Sequence, residues 1–235
     1  MKLFCIPHAG GLIASFVPLK RSLLGIVEVI GIELAGRGVK EKLPLYNTFM
    51  EAVYDVATDI SEHIWHSPDE SYIILGHSMG SWLAYEVYYQ LRLWGIKGPE
   101  HVIFSGNNTP PTHFEERGIH NLTDEKIIES ILELGYTNSE IFSNPRFRNM
   151  FLPYLRSDLE ITACYAADLN RPCLDCDITV LYGLQDPLIT EEVRRWGCIS
   201  GGTCQLRGYE GGHFFIYEKT DEIALVVKQI IARIV

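Results

Sequence analysis

The chain has 235 residues, of which 47% are hydrophobic and 21% charged, and a formal net charge of −10. This length suffices for one domain with a large core, and the composition is too apolar for a disordered chain. An acidic surface repels a phosphate backbone, which disfavours nucleic acid as a partner, and no run approaches the roughly 20 apolar residues of a membrane span.

In chain order, the first segment carries one lysine and a short apolar run. It lacks the length of a signal peptide and reads as a strand over Leu3–Pro7, which predicts a cytoplasmic protein. A second strand is expected over Val27–Glu33. Met50, Val53, Ala57, Ile60 and Ile64 then recur at three- and four-residue steps and predict an amphipathic helix. Strands follow at Tyr72–Gly76 and His101–Ser105, flanking a helix from Trp82 to Trp94 that Gly95 closes. From about 112 to 168 no strand pattern occurs, only helical ones such as Asp124–Leu134 and Phe147–Tyr165. Strands return at Ile178–Gly183 and Thr203–Arg207, and a helix runs from Asp221 to the end.

This alternation predicts an α/β fold: a mostly parallel central sheet with helices on both faces. The helical insertion at about 112–168 should emerge at the carboxyl edge of the sheet and form a cap, or lid, over a site there. We expect a single domain, 1–235, carrying that lid. The six cysteines, at 5, 164, 173, 176, 198 and 204, read as reduced thiols, buried or half-buried. A zinc site from Cys173, Cys176, Cys198 and Cys204 is disfavoured, because the second pair is loosely spaced across a helix and a strand.

Gly76-His77-Ser78-Met79-Gly80 has the pattern G-x-S-x-G. The apolar run Tyr72–Leu75 leads into it and a helix follows, which is the setting of a nucleophile elbow. A serine so placed sits on a strained turn above the sheet, where side chains at 76 and 80 would collide. The following helix directs its positive end at the site. Serine needs a base, and proteins built on such elbows run in the order serine, acid, histidine. Four histidines follow Ser78. His101 opens a strand, and His113 and His120 fall in the insertion. His213, after Gly211-Gly212 and the last strand, is therefore the expected base. Asp186, in the loop after Ile178–Gly183, is the expected acid; Asp175 and Asp177 precede that strand and lie at the wrong end of the sheet. Met79 should give one oxyanion-hole amide. Ala9, in the Pro7-His8-Ala9-Gly10-Gly11 loop, is the expected second.

Taken together, these residues resemble the stand-alone type II thioesterases of nonribosomal peptide and polyketide synthesis, on the α/β-hydrolase fold. The resemblance rests on Pro-His-Ala-Gly-Gly (7–11), Leu-Ala-Gly-Arg-Gly (34–38), Gly-His-Ser-Met-Gly (76–80), Leu-Asp-Cys-Asp-Ile (174–178) before Gln-Asp-Pro (185–187), and Gly-Gly-His-Phe-Phe (211–215). A further match is the cap segment Phe151 to Asp158. Asp177 stands where many relatives have proline. The resemblance implies an editing hydrolase that removes stalled, misprimed or aberrant acyl groups from the phosphopantetheine arm of carrier domains through a Ser78 acyl-enzyme. It implies Ser78, Asp186 and His213 as triad and Ala9 and Met79 as oxyanion donors. No cofactor or metal is expected, and the protein should be a monomer whose partners are carrier domains. Arg37, Arg117, Arg194 and Arg195 are candidates for carrier docking. The alternatives are a small-molecule carboxylesterase or lipase-like serine hydrolase, a non-catalytic ligand receptor on the same fold, and acyl transfer to a nucleophile other than water.

Overall fold

A computed structural model describes residues 1–112, 122–135 and 142–234. Its centre is a sheet of six parallel strands: β1 (Lys2–Ile6), β2 (Glu28–Gly31), β3 (Tyr72–His77), β4 (His101–Ser105), β5 (Asp177–Gly183) and β6 (Cys204–Tyr209). The spatial order is β2-β1-β3-β4-β5-β6. Because all pairs are parallel, every strand delivers its following loop to the same edge. The register keeps those ends level: Ile6 lies beside Gly76, Gly76 beside Phe104, and Phe104 beside Val180. Strand order reverses between β1 and β3, which opens a crevice at their carboxyl ends.

The described helices are α1 (Val17–Ser22), α2 (Phe49–Trp65), α3 (Met79–Leu93), α4 (Asp124–Glu133), α5 (Pro145–Ala163), α6 (Phe215–Glu218) and α7 (Thr220–Ile234). Strand periodicity sorts the core into two layers. Phe4, Ile6, Tyr72, Ile74, Val102 and Phe104 pack on the face covered by α2 and α3. Leu3, Cys5, Ile73, Leu75 and Ile103 pack against α1 and α7 on the other. Strands buried on both faces read as continuous apolar runs, as these do. Thr48 caps α2 by accepting the Glu51 amide at 3.1 Å.

The expected elements are present with shifted ends. β2 is shorter than Val27–Glu33, α3 begins at Met79 instead of Trp82, and β6 runs on to Tyr209. α1 and α6 are too short to leave a periodic signature. α4 and α5 lie in the segment between β4 and β5 and share a third apolar cluster, which includes Ile127, Ile131, Phe151 and Leu155. Asparagine 144 accepts the Arg146 and Phe147 amides at the start of α5. His113 and His120 lie outside the described residues. The thiols correct one expectation: Cys164, Cys173 and Cys198 are exposed, because each falls in a loop or at the end of a helix. Among the described residues, no helix is long and apolar enough to cross a membrane.

Phe104 on β4 is fully buried and stacks on Trp196, with ring centroids 3.8 Å apart. Phe104→Ala should cost about 3–5 kcal/mol of unfolding free energy. Urea denaturation measures this as a lowered midpoint with an unchanged slope; an unchanged midpoint would show that the site collapses without loss.

Candidate active site

Ser78 lies between β3 and α3 with φ 56° and ψ −120°, the one non-glycine residue with positive φ among those described. Two glycines make the turn possible. A Cβ on Gly76 would meet the Gly80 carbonyl oxygen at 2.0 Å, and one on Gly80 would meet the Ile6 carbonyl oxygen at 2.3 Å. The turn is then tied to β4. The Ser78 amide donates to the Ser105 carbonyl at 2.7 Å. The buried Ser81 hydroxyl lies 2.8–2.9 Å from the carbonyls of Gly76 and Ser105 and accepts the Ser105 amide. Asn107 Nδ2 donates to the Ser78 carbonyl at 3.0 Å.

Asp186 and His213 arrive on two loops that are clasped together. The Gln185 amide donates to the Gly211 carbonyl at 3.0 Å, and the Gly211 amide returns to Gln185 Oε1 at 2.6 Å. Asp186 Oδ1 accepts the Leu188 amide at 2.9 Å, which aims Oδ2 at the imidazole. His213 Nδ1 lies 2.7 Å from Asp186 Oδ2, and Nε2 lies 2.9 Å from Ser78 Oγ. The structure thus brings together three side chains from the ends of β3, β5 and β6. A neutral imidazole whose Nδ1–H is held by a carboxylate presents Nε2 as the acceptor for a serine proton.

Ala9 and Met79 both border the cavity beside Ser78. Met79 is the first residue of α3, so its amide has no partner within the helix. The cavity holds about 250 Å³. Its wall is mainly apolar: Ile131 and Leu134 from α4, Phe151, Leu155 and Leu159 from α5, with Trp82 on α3. Among the described residues, no Asp, Glu, Lys or Arg lines it. Both α4 and α5 therefore contribute to the cavity that Ser78 borders.

Two more histidines crowd the centre. His8 and His77 are buried, and the His77 ring lies 5.3 Å from that of His213. Burial, with the nearby His213 and Arg37 charges adding to it, pushes His8 down to about 3. Burial, then His213 and His8, pushes His77 well below the ordinary imidazole range. Both stay neutral at neutral pH, so neither competes as a cation beside the Ser78–His213 contact. His8 Nδ1 is 2.8 Å from the Tyr217 hydroxyl, and His77 Nδ1 is 3.0 Å from the Ser105 hydroxyl.

Of the docking candidates, Arg37 needs correction. It is 2% exposed and paired with Asp158 on α5, 121 residues away, so it is no part of a docking surface. The Leu34–Gly38 and Phe151–Asp158 motifs carried this pair, but separately they give no sign of contact. Arg194 and Arg195 are exposed and pair with Glu191 and Glu192, one turn away. Arg117 lies outside the described residues. Among the described residues, no group of three or more His, Cys, Asp or Glu side chains is placed to hold a metal ion.

The parallel sheet with helices on both faces and the elbow at Ser78 define an α/β-hydrolase fold. Within that class the chain belongs to the thioesterase family, whose "Thioesterase domain" model matches residues 1–233, and it is accordingly a hydrolase. The "Probable cadicidin biosynthesis thioesterase" of Streptomyces griseus is 32% identical over 230 residues; the match covers 97% of this chain and 62% of that protein, so the chain spans less than two thirds of this relative. The RedJ thioesterase from the prodiginine pathway of Streptomyces coelicolor superposes with a TM-score of 0.88 at 32% identity, covering 97% of this chain and 85% of that one. The type II thioesterase BorB from the borrelidin cluster gives 0.85 at 27% identity, covering 98% and 92%. The resemblance to type II thioesterases seen in the sequence motifs thus extends over the whole fold.

The buried histidines set an acid limit on stability. A histidine whose folded pKa is depressed binds its proton more readily in the unfolded chain. Its contribution is complete above about 6.5 and declines as pH falls toward the folded value. With His8 at about 3, His101 at about 4 and His77 also lowered, the unfolding free energy should drop steadily from pH 6.5 to 4. Each histidine adds up to about 1.4 kcal/mol per pH unit. His101, whose Nε2 faces the Thr179 hydroxyl at 2.8 Å, isolates one of them. His101→Gln should flatten the slope by one proton in denaturation curves taken across that range; an identical slope would remove His101 from this account.

Proposed function

We propose that this chain is a type II thioesterase that hydrolyses stalled, misprimed or aberrant acyl groups from the phosphopantetheine arm of carrier domains in nonribosomal peptide or polyketide synthesis. The observation that carries the reading is the position of His213, in bonding reach of both Ser78 Oγ and Asp186 Oδ2 at the wall of an apolar cavity. Family membership and the relatives named in biosynthetic pathways support the substrate class.

In this reading Ser78 attacks the thioester carbonyl as His213 Nε2 takes its proton. Asp186 holds the imidazole in the required tautomer and stabilises its cation. The amides of Ala9 and Met79 receive the tetrahedral oxygen. The C–S bond breaks as His213 hands that proton to the departing sulfur, the thiol of the pantetheine arm leaves, and the acyl group remains on Ser78 with its chain among Phe151, Leu155 and Leu159. Water then attacks, again with His213 as base, and releases the free acid. Nucleophile, base and oxyanion donors all come from the chain, so we assign it no cofactor. The described part of the cavity wall, mainly apolar and without Asp, Glu, Lys or Arg, favours aliphatic acyl chains over charged ones, since a buried charge without a partner is costly. The reaction takes place in the cytoplasm, on a monomer that meets its carrier transiently.

Carrier domains loaded with a panel of acyl groups test the proposal directly, with the mass of the regenerated carrier as readout. The wild-type protein should free the carrier and pass through a Ser78-linked acyl adduct visible by intact-mass measurement. Ser78→Ala and His213→Ala should each lose on the order of 10³-fold or more in rate, and by similar factors, because the groups act as a unit. Near-wild-type hydrolysis by Ser78→Ala would overturn the mechanism. Rapid cleavage of simple aryl esters with inert acyl carriers would instead point to a small-molecule esterase.

A further inference from the structure

The loop after β1 is held by a buried ion pair that reaches it from the cap. Asp158 on α5 accepts Arg37 Nη1 on Oδ2 and Nη2 on Oδ1, both at 2.7 Å. The same Oδ2 accepts the Gly10 amide at 2.8 Å. Arg37 Nη1 also donates to the Gly11 carbonyl at 3.3 Å, and Nε to the Ala35 carbonyl at 3.3 Å. The guanidinium lies over the Tyr154 ring, 4.5 Å from its centroid. Both charged side chains are 1% exposed. The loop has little room to shift: Gly10 adopts φ +76°, and a Cβ there would meet Leu155 Cδ1 at 2.9 Å and Phe151 Cζ at 3.1 Å.

A fork–fork ion pair with three additional backbone bonds is a directional clamp. It grips the residue next to Ala9 from α5, and α5 also contributes Phe151, Leu155 and Leu159 to the acyl cavity. We propose that Asp158 and Arg37 form a positioning pair: they fix the Ala9 amide where the tetrahedral oxygen develops and tie that position to the cap helix that contacts the acyl chain. The inference rests on the reading of Ala9 as an oxyanion donor. A donor displaced by a fraction of an ångström still lets substrate bind but serves the transition state poorly. The pair therefore acts on kcat more than on KM.

Three variants test this: Arg37→Lys, Asp158→Asn and the double variant Arg37→Met/Asp158→Leu. The double variant replaces a buried pair with apolar side chains of similar size, an exchange that folded proteins tolerate. It preserves packing while releasing the Gly10 amide, and it provides the measurement if a single variant does not fold. The reactive serine is first counted by the final extent of fluorophosphonate labelling, so that rates refer to competent sites. Each folded variant should lose about 10- to 100-fold in kcat on an acyl-pantetheine thioester with KM little changed. Affinity for a trifluoromethyl ketone analogue, which forms a tetrahedral adduct, should fall by a similar factor, while affinity for the product acid holds. A purely structural pair would lower the melting temperature and the labelled fraction yet leave kcat per labelled site at the wild-type value, and that result overturns the inference. Retained activity in Ser78→Ala would sink the proposed mechanism and this inference with it. A dead Ser78→Ala beside unaffected pair variants would sink the inference alone.

Discussion

The backbone at Ser78 is held in a conformation that serine residues avoid, and the contacts around it supply the constraint. Strain of this kind costs on the order of 1–3 kcal/mol and persists only when its surroundings over-determine it. Here Gly76 and Gly80 leave space for two chain segments to touch, and Ser81 and Ser105 bond the turn to the next strand. The result is a hydroxyl raised over the carboxyl edge with the start of α3 beneath it. Asp186 and His213 are then placed by the same edge, since each follows a strand parallel to β3. The parallel sheet converts three distant sequence positions into neighbours, and the clasp between Gln185 and Gly211 sets their spacing.

Most of this was legible in the sequence because its signals are local. A doubly buried parallel strand is an apolar run, and an elbow is a glycine-flanked serine between such a run and a helix. Ser78, Asp186 and His213 follow from chain order once the elbow is recognised. What stayed hidden depends on contacts that no local pattern encodes. Arg37, in a glycine-rich loop, reads as a solvated arginine, and Asp158 reads as one polar position on an amphipathic helix. Only the folded chain shows that each is the other's counter-charge. The Gln185–Gly211 clasp is hidden for the same reason. The short helices α1 and α6 complete too few turns for a period to be read, and the ends of β2 and β6 moved because apolar residues continue past the last ladder bond or stop before it.

Charge is distributed unevenly between the centre and the surface. Two buried carboxylates of the centre are matched by arginines. Arg37 meets Asp158 in bidentate contact, and Arg171 meets the buried Glu86 through both terminal guanidinium nitrogens. His8 and His77 are kept neutral by burial, so His213 faces Asp186 with no imidazolium at either of the two neighbouring rings. Removing one partner from such a pair would leave a charge stranded in a medium that solvates it badly, whereas removing both restores balance. That asymmetry makes a two-site apolar replacement more informative about the pair's role than either single change.

The surface poses the opposite problem for the proposed carrier reaction. A chain with net charge −10 gains no long-range attraction toward an acidic carrier, and the exposed Arg194 and Arg195 are already engaged by Glu191 and Glu192. Encounter without steering is slower and weaker, because electrostatic complementarity mainly raises association rates. For an editing hydrolase this is a consistent arrangement. A carrier that bound tightly would be stripped of correct intermediates as readily as wrong ones, whereas brief contact acts chiefly on acyl groups that linger. On the proposed reading, selectivity comes from dwell time on the carrier and from the fit of the acyl chain between α4 and α5, with the carboxyl edge of the sheet common to every substrate admitted.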